Sequence, residues 1–313
     1  MYLYCIVTPA VAFILYKSYQ KWTCGMYKGD VKMCNKVVIV TGANTGIGFE
    51  TAKDLAKRNA RVILACRDTD KGIRAKNAIV EATGNKNVVF KRLDLASFKS
   101  VRDFAEEILK TYPVIHVLVN NAGTGKLDNS LTEDNLPVEA QVNHFGPFLL
   151  TILLLPPITA ARGRIVNVSS VMHYLGKIDL ENFHKQAKSS LQHRRVYSNT
   201  KLANILFTRH LSEQLKDSGV TVNCLHPGAV GTDIFRHQPS IIRFLIRLVM
   251  KTPYEGAQTS IYLAVAPELN NVTGKYFVDC REISPSKTAL DDDLALKLWK
   301  LSERIVHNKE KAI

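Results

Sequence analysis

Apolar positions along the chain alternate between two periods. Residues 37–41 form an uninterrupted run of mostly β-branched side chains, and residues 47–59 then repeat apolar positions (Ile47, Thr51/Ala52, Leu55) at helical spacing. The same pairing recurs along the chain. Residues 62–66 precede a helical pattern over 71–83 that Gly84 closes, and 88–93 precede one over 101–111 that Pro113 ends. Residues 117–120 precede the long, mostly apolar stretch 137–155. Residues 164–169 precede a helix over 197–218, and 220–225 precede helices over 241–250 and 253–266. Residues 275–278 read as a last short strand and 291–306 as a C-terminal helix. Several strands are apolar on both faces, as parallel strands covered by helices on each side are. The alternation predicts an α/β fold with a doubly wound parallel sheet of Rossmann type and helices on both faces. No Pro/Gly-rich linker divides it, so residues 34–313 are expected to form a single domain.

The N-terminal segment breaks this pattern. Residues 2–16 carry no charge, and Lys17 and Lys21 follow. A membrane-spanning helix needs about 20 apolar residues, and the run reaches the lower limit at Tyr19 if Lys17 extends its ammonium to the surface. Pro9 is tolerated in such a helix. A cleaved signal peptide needs a basic start and a small-x-small site, whereas here the positive charges follow the apolar run. Residues 1–22 are therefore expected to be a signal anchor, its C-terminal lysines holding the rest of the chain in the cytosol. The endoplasmic reticulum membrane is the default location and the mitochondrial membrane its rival. Two glycosylation sequons, at Asn167 in a strand and Asn271 in a loop, bear on that orientation.

Charge and cysteine content narrow the class. The net charge is +14, but the 42 basic residues are spread from Lys17 to Lys311 rather than gathered on one element. This distribution argues against nucleic acid and suits a basic face toward anionic membrane lipid. The six cysteines form no CxxC pair and no metal-like cluster with histidine. They point to a reducing compartment and to no metal site.

The first strand runs through Thr41-Gly42-Ala43-Asn44-Thr45-Gly46-Ile47-Gly48 into a helix. Glycines allow a tight turn and close approach of the backbone to a pyrophosphate, which the helix N-terminus then attracts. Gly42, Asn44, Thr45, Gly46, Ile47 and Gly48 are thus candidate dinucleotide contacts. A carboxylate at the tip of the second strand would select an unphosphorylated ribose. There the chain reads Cys66-Arg67-Asp68, and if the strand ends at Cys66 the first side chain over the ribose is Arg67, whose planar fork suits a 2′-phosphate. Asp68 has the spacing of an acid for NAD, about 20 residues past the glycines, but falls beyond the strand tip. NADP(H) is the expected cofactor. Asp94 and Leu95 follow the third strand, within reach of an adenine, although Asp94 and Ser97 also suit helix caps. Asn121, Ala122 and Gly123 form a small, polar turn after the fourth strand, at the edge where a cofactor would lie.

The glycine pattern, Asn120-Asn121-Ala122-Gly123, Ser169-Ser170, Tyr197-Ser-Asn-Thr-Lys201 and Pro227-Gly228, in this order, resemble the short-chain dehydrogenase/reductases over residues 36 to about 280. Longer stretches such as VNHFGPFLLT, GRIVNVSSVMH, YSNTKLANILFTRHL and LHPGAVGTDI look like the microsomal retinol dehydrogenases, which also carry an N-terminal anchor. The resemblance implies an NADP(H)-dependent oxidoreductase that interconverts a lipophilic alcohol and its aldehyde or ketone, with retinol/retinal foremost. Steroids, terpenoid aldehydes or lipid aldehydes are the alternative substrates. A cofactor-binding membrane protein without catalysis is a third reading. The resemblance also implies Tyr197 as general acid or base, Lys201 one helical turn on, Ser170 rather than Ser169 as the hydroxyl on the carbonyl, and Asn143 as holder of a relay water. The Lys201 ammonium is expected to lower the Tyr197 phenol. Tyr197, Lys201, Pro227, Gly228 and Thr232 match cofactor contacts, Lys201 at the nicotinamide ribose. The lipophilic substrate is expected to meet residues 241–250, and a homodimer stays open. The segment between Ser170 and Tyr197 is longer than in many members of the family and basic, suiting a lid, a membrane contact or a solvated loop.

Overall fold

The computed structural model describes residues 23–125, 129–187, 189–231 and 249–307. The anchor expected over residues 1–22, Thr232 and residues 241–248 of the expected substrate helix lie outside these. The described chain forms one eight-stranded sheet in the order β3-β2-β1-β4-β5-β6-β7-β8. The strands are β1 (Val37–Thr41), β2 (Arg61–Cys66), β3 (Val88–Arg92), β4 (Val117–Asn120), β5 (Arg164–Val168), β6 (Thr221–His226), β7 (Tyr276–Val278) and β8 (Arg281–Ile283). All neighbours are parallel except β7 and β8.

The helices between them are α1 (Gly46–Lys57), α2 (Thr69–Thr83), α3 (Phe98–Thr111), α4 (Val138–Ala160), α5 (Ser190–Gln214), α6 (Pro253–Val265) and α7 (Asp292–His307). The two-residue period of each strand sends side chains to opposite faces, and both faces are buried. Ile39, Ile63, Leu118, Ile165 and Val222 pack with Phe104, Phe148 and Leu206 beneath α3, α4 and α5. Val38, Val40, Leu64, Val119 and Leu225 pack with Leu55, Ile79 and Ile261 beneath α1, α2 and α6. The core is thus two apolar layers separated by the sheet. α4 is long and apolar enough to cross a membrane, yet it is largely buried here, as the central helix of such a core.

Sequence and structure differ at four elements. α3 starts at Phe98, ahead of the expected 101, because the Ser97 hydroxyl caps the Ser100 amide. α5 starts at Ser190, capped by Ser189, so part of the basic segment before Tyr197 is helix rather than loop. α4 passes through Pro156 and Pro157 to Ala160, past the expected end at 155. β8 was not expected: all three of its residues are exposed, and an antiparallel edge strand of that kind has no apolar period to announce it.

Candidate active site

The order of the strands reverses between β1 and β4, which opens a crevice at their C-terminal edges. β1 leaves the sheet through Gly42 (φ 65°) and Gly46 (φ 59°), a left-handed turn that glycine takes without steric cost. A Cβ on Gly48 would lie 2.5 Å from the Gly42 carbonyl oxygen and closer still to the Asn121 amide nitrogen. The first turn of α1 carries no acidic side chain, so its amides and dipole favour an anion above the loop. Beneath the loop, burial pushes the Cys66 thiol up to about 12, only partly offset by the Ala43 and Asn44 amides, leaving it a neutral support. The Thr41 hydroxyl accepts from the Asn121 and Ala122 amides, each at 3.0 Å, and Asn121 Nδ2 donates to the Thr41 carbonyl at 2.8 Å. Gly42, Asn44, Thr45, Gly46, Ile47 and Gly48 are thereby joined to Asn121, Ala122 and Gly123 in one cradle whose donor set fits a dinucleotide pyrophosphate. No spacing or motif announces that Thr41 holds its two edges together.

β2 ends at Cys66, so Arg67 is the first side chain beyond the strand and is exposed. Asp68 is committed elsewhere: its carboxylate accepts from the Lys71 amide at 3.0 Å and caps α2, and this backbone hydrogen bond, with the Lys71 ammonium, holds it below the usual carboxylate range. Asp94 makes a local turn with the Ala96 amide at 3.0 Å, and Leu95 is buried.

The four residues that the resemblance singled out sit at the other wall of the crevice. Asn143 lies in a π-helical turn, Gln141–Phe145, inside α4. Such bulges inside α-helices are frequent at functional sites. Its Oδ1 accepts from the Thr124 amide at 2.7 Å, and its Nδ2 donates to the Thr124 carbonyl at 2.9 Å and to the Thr200 hydroxyl at 3.1 Å. That hydroxyl in turn donates to the Tyr197 carbonyl at 2.7 Å. Ser169 is buried and donates to the Lys201 carbonyl at 2.6 Å, which leaves Ser170, whose side chain acts on the Tyr197 phenol, as the serine that faces the site. Lys201 places its Nζ 5.5 Å from the Tyr197 ring centre and donates to the Val168 carbonyl at 3.1 Å. Gly123 joins the two walls: a Cβ there would lie 3.3 Å from Asn143 Oδ1 and 3.4 Å from Lys201 Nζ.

The electrostatics correct one expectation. Burial raises the Tyr197 phenol above its ordinary value, the Ser170 hydrogen bond pulls it partly back, and the Glu139 charge raises it further. The Lys201 ammonium does not lower it, because burial pulls the lysine itself down to about 8, so that its charge is lost before the phenol titrates. In the protein alone, Tyr197 is therefore a proton donor near neutral pH.

Pro227 and Gly228 follow β6 at the same edge. Gly228 has φ 91°, and a Cβ there would meet the Lys251 side chain at 2.8 Å. Lys251 is paired with Asp279, and a parallel bridge joins Val230 to Lys251. A feature not expected from the sequence lies directly after Ser170. In the 3-10 turn Val171–Leu175, Val171, Met172, Tyr174 and Leu175 are all exposed, Leu175 by 63%. Singly exposed apolar residues are ordinary, but four in five positions beside a candidate active site form a lipophilic wall.

Comparison with known proteins agrees with this geometry. A family model described as short chain dehydrogenase matches residues 36–240. The chain is 44% identical over 301 residues to retinol dehydrogenase 11 of Mus musculus, covering 94% of each. It is also 44% identical to retinol dehydrogenase 12 of Homo sapiens, covering 89% of this chain and 88% of that one. Among solved structures, an uncharacterised protein from Mycobacterium paratuberculosis matches with a TM-score of 0.71 at 32% identity, covering 88% of this chain and 95% of that one. A short chain dehydrogenase from Escherichia coli CFT073, solved with NADPH, shares the fold at a TM-score of 0.65 and 24% identity, covering 80% of this chain and 99% of that one.

Proposed function

The chain belongs to the short chain dehydrogenase family, and on that premise we propose that it reduces a lipophilic aldehyde or ketone, retinal foremost, with NADPH, at a site formed by Asn143, Ser170, Tyr197 and Lys201. The observation that carries the reading is the meeting of the two walls at Gly123. The turn that edges the cofactor cradle touches both Asn143 and Lys201. A bound cofactor would supply the hydride and would lie along Gly42, Asn44, Thr45, Gly46, Ile47, Gly48, Asn121, Ala122 and Gly123. Asp94, Leu95, Pro227, Gly228 and Thr232 are proposed as further contacts.

A substrate carbonyl oxygen held by the Ser170 hydroxyl and the Tyr197 phenol would have its developing charge stabilised by the first and be protonated by the second. The raised phenol suits this direction, since the group must enter the reaction protonated. Oxidation of an alcohol at the same site needs the phenolate and is favoured only at higher pH. Asn143, fixed by Thr124 and Thr200, is placed to hold the water that returns a proton to the site. The wall of Val171, Met172, Tyr174 and Leu175 suits a long apolar substrate, as do the retinol dehydrogenases to which the chain is similar.

The test is NADPH oxidation by membrane fractions with all-trans-retinal, beside NADH and a panel of steroid, terpenoid and lipid aldehydes. Turnover of retinal with NADPH supports the full reading. Turnover of another lipid carbonyl alone keeps the chemistry and discards the retinoid, and no turnover despite NADPH binding favours a non-catalytic protein. The exposed Arg67 is proposed to grip the 2′-phosphate. A charge-assisted hydrogen bond is worth roughly 1.5–3 kcal/mol, so Arg67→Glu is expected to weaken NADPH binding by roughly 10- to 100-fold while sparing NADH. An equal loss for both cofactors would remove Arg67 from that role.

We also propose that residues 1–22 anchor the protein in the endoplasmic reticulum membrane with the catalytic domain, residues 34–313, in the cytosol. Asn271 is exposed in a turn and reports on this. It is expected to stay unglycosylated, and a mass shift on glycosidase treatment would reverse the orientation.

A further inference from the structure

The turn that exposes four apolar side chains buries the fifth. His173 is 0% exposed, between the rings of Tyr174 at 4.1 Å and Tyr276 at 5.0 Å. Its Nε2 lies 3.1 Å from the Ser286 amide, which can only donate, so Nε2 is the acceptor. Nδ1 therefore carries the proton and donates to the Ser170 carbonyl at 2.8 Å. The Tyr276 hydroxyl stands 3.5 Å from the same Nδ1. One imidazole thus ties the backbone of the candidate catalytic serine to the segment before α7, where Ser286 caps the 3-10 turn Lys287–Leu290. Ser170 itself is held at a further point, its hydroxyl accepting from the Met172 amide at 3.2 Å, and its side chain acts on the Tyr197 phenol, which it lowers.

We propose that His173 is a positioning residue for Ser170: as a neutral Nδ1–H imidazole clamped by Ser286, it sets where the serine hydroxyl stands relative to Tyr197. This rests on Ser170 and Tyr197 being the reacting pair. A side chain with a purely packing role needs no directed donor on one nitrogen and no directed acceptor on the other. Burial also holds the imidazole below its ordinary value, which keeps Nε2 able to accept at neutral pH. The groups that face this pair are Tyr174, Tyr276 and His226 around His173, and Glu139 and Lys201 around Tyr197.

The test uses the full chain in membranes and carbonyls that the wild type turns over. His173→Gln keeps an acceptor near Nε2 and loses the donor to Ser170, whereas His173→Asn keeps a donor near Nδ1. Misplacing a reacting group by about 1 Å can cost up to about 100-fold in rate. His173→Gln is expected to lose kcat by about 10- to 100-fold with the KM for NADPH unchanged, and His173→Asn to lose less. Since the Ser170 contact lowers the Tyr197 phenol, the pH at which alcohol oxidation reaches half its maximum is expected to rise in His173→Gln. Ser286→Pro removes the clamping amide from a residue whose φ of −60° proline can adopt. It is expected to lose kcat beyond Ser286→Ala, which keeps the amide and loses the cap. These variants keep His173 if the Gln and Asn forms do not fold. A wild-type kcat and pH profile in His173→Gln, or equal activity in Ser286→Pro and Ser286→Ala, would overturn the proposal. An inactive wild type would instead overturn the catalytic reading on which it rests.

Discussion

Tyr197→Phe is expected to lower kcat for carbonyl reduction by about a thousandfold, within the range that a positioned general acid contributes. The ring stays, and with it the packing of α5 and the Thr200 hydrogen bond to the residue 197 carbonyl, because only the phenol oxygen is removed. Cofactor affinity should therefore fall by no more than about tenfold, the worth of one hydrogen bond, which separates this loss from a failure to bind. Single-turnover NADPH oxidation with retinal, beside NADPH titration by fluorescence, measures both quantities. In the wild type, reduction should hold across neutral pH and fall only as the phenol ionises, above its ordinary value because burial raises it. Alcohol oxidation should show the mirror image and rise with pH. A variant that kept most of the wild-type kcat would remove Tyr197 from the proton transfer and revive the non-catalytic reading.

Gly48→Ala should abolish cofactor binding. The added methyl would stand 2.5 Å from the Gly42 carbonyl oxygen and against the Asn121 amide, and neither is the free end of a flexible side chain. Gly42 is locked in the left-handed turn, and Asn121 Nδ2 is held by the Thr41 carbonyl. Relief requires moving the loop off the start of α1 or parting β1 from β4. Overpacking of this kind costs about 1–3 kcal/mol of stability, and the displaced amides lose the pyrophosphate as well. The variant is expected to unfold at lower temperature and to show no rise in Tm on adding NADPH, whereas the wild type should gain stability with ligand. A normal ligand-induced rise in Tm in Gly48→Ala would show that the cofactor does not lie on this turn.

Much of the site was legible along the chain because its chemistry is local. Tyr197 and Lys201 share a helical face by spacing, and the glycine turn follows its strand directly. Arg67 reaches the strand tip because β2 ends at Cys66, and Asp68 is drawn off by the Lys71 amide. These features depend on contacts within a few residues, so period and spacing suffice to read them. His173 and Thr41 were not legible. Each acts on a partner reached through the fold: Ser286 is 113 residues beyond His173, and Asn121 is 80 residues beyond Thr41. β8 was missed for a related reason, since an exposed edge strand takes its pairing from β7 and not from an apolar pattern of its own.

By itself, then, the order of apolar and polar residues determined a parallel sheet covered by helices on both faces, the strand that carries the glycine turn, and the helix that carries Tyr197 and Lys201. Hydrophobic burial and backbone hydrogen bonding act on every residue in turn and leave a periodic trace. The family resemblance preferred Ser170 to Ser169, but only the tertiary structure supplied the physical reason: the Ser169 hydroxyl is taken up by the Lys201 carbonyl, whereas the Ser170 side chain acts on the Tyr197 phenol. The tertiary structure also decided that the phenol is raised rather than lowered, since desolvation depends on everything packed around a group and not on the charge one turn away.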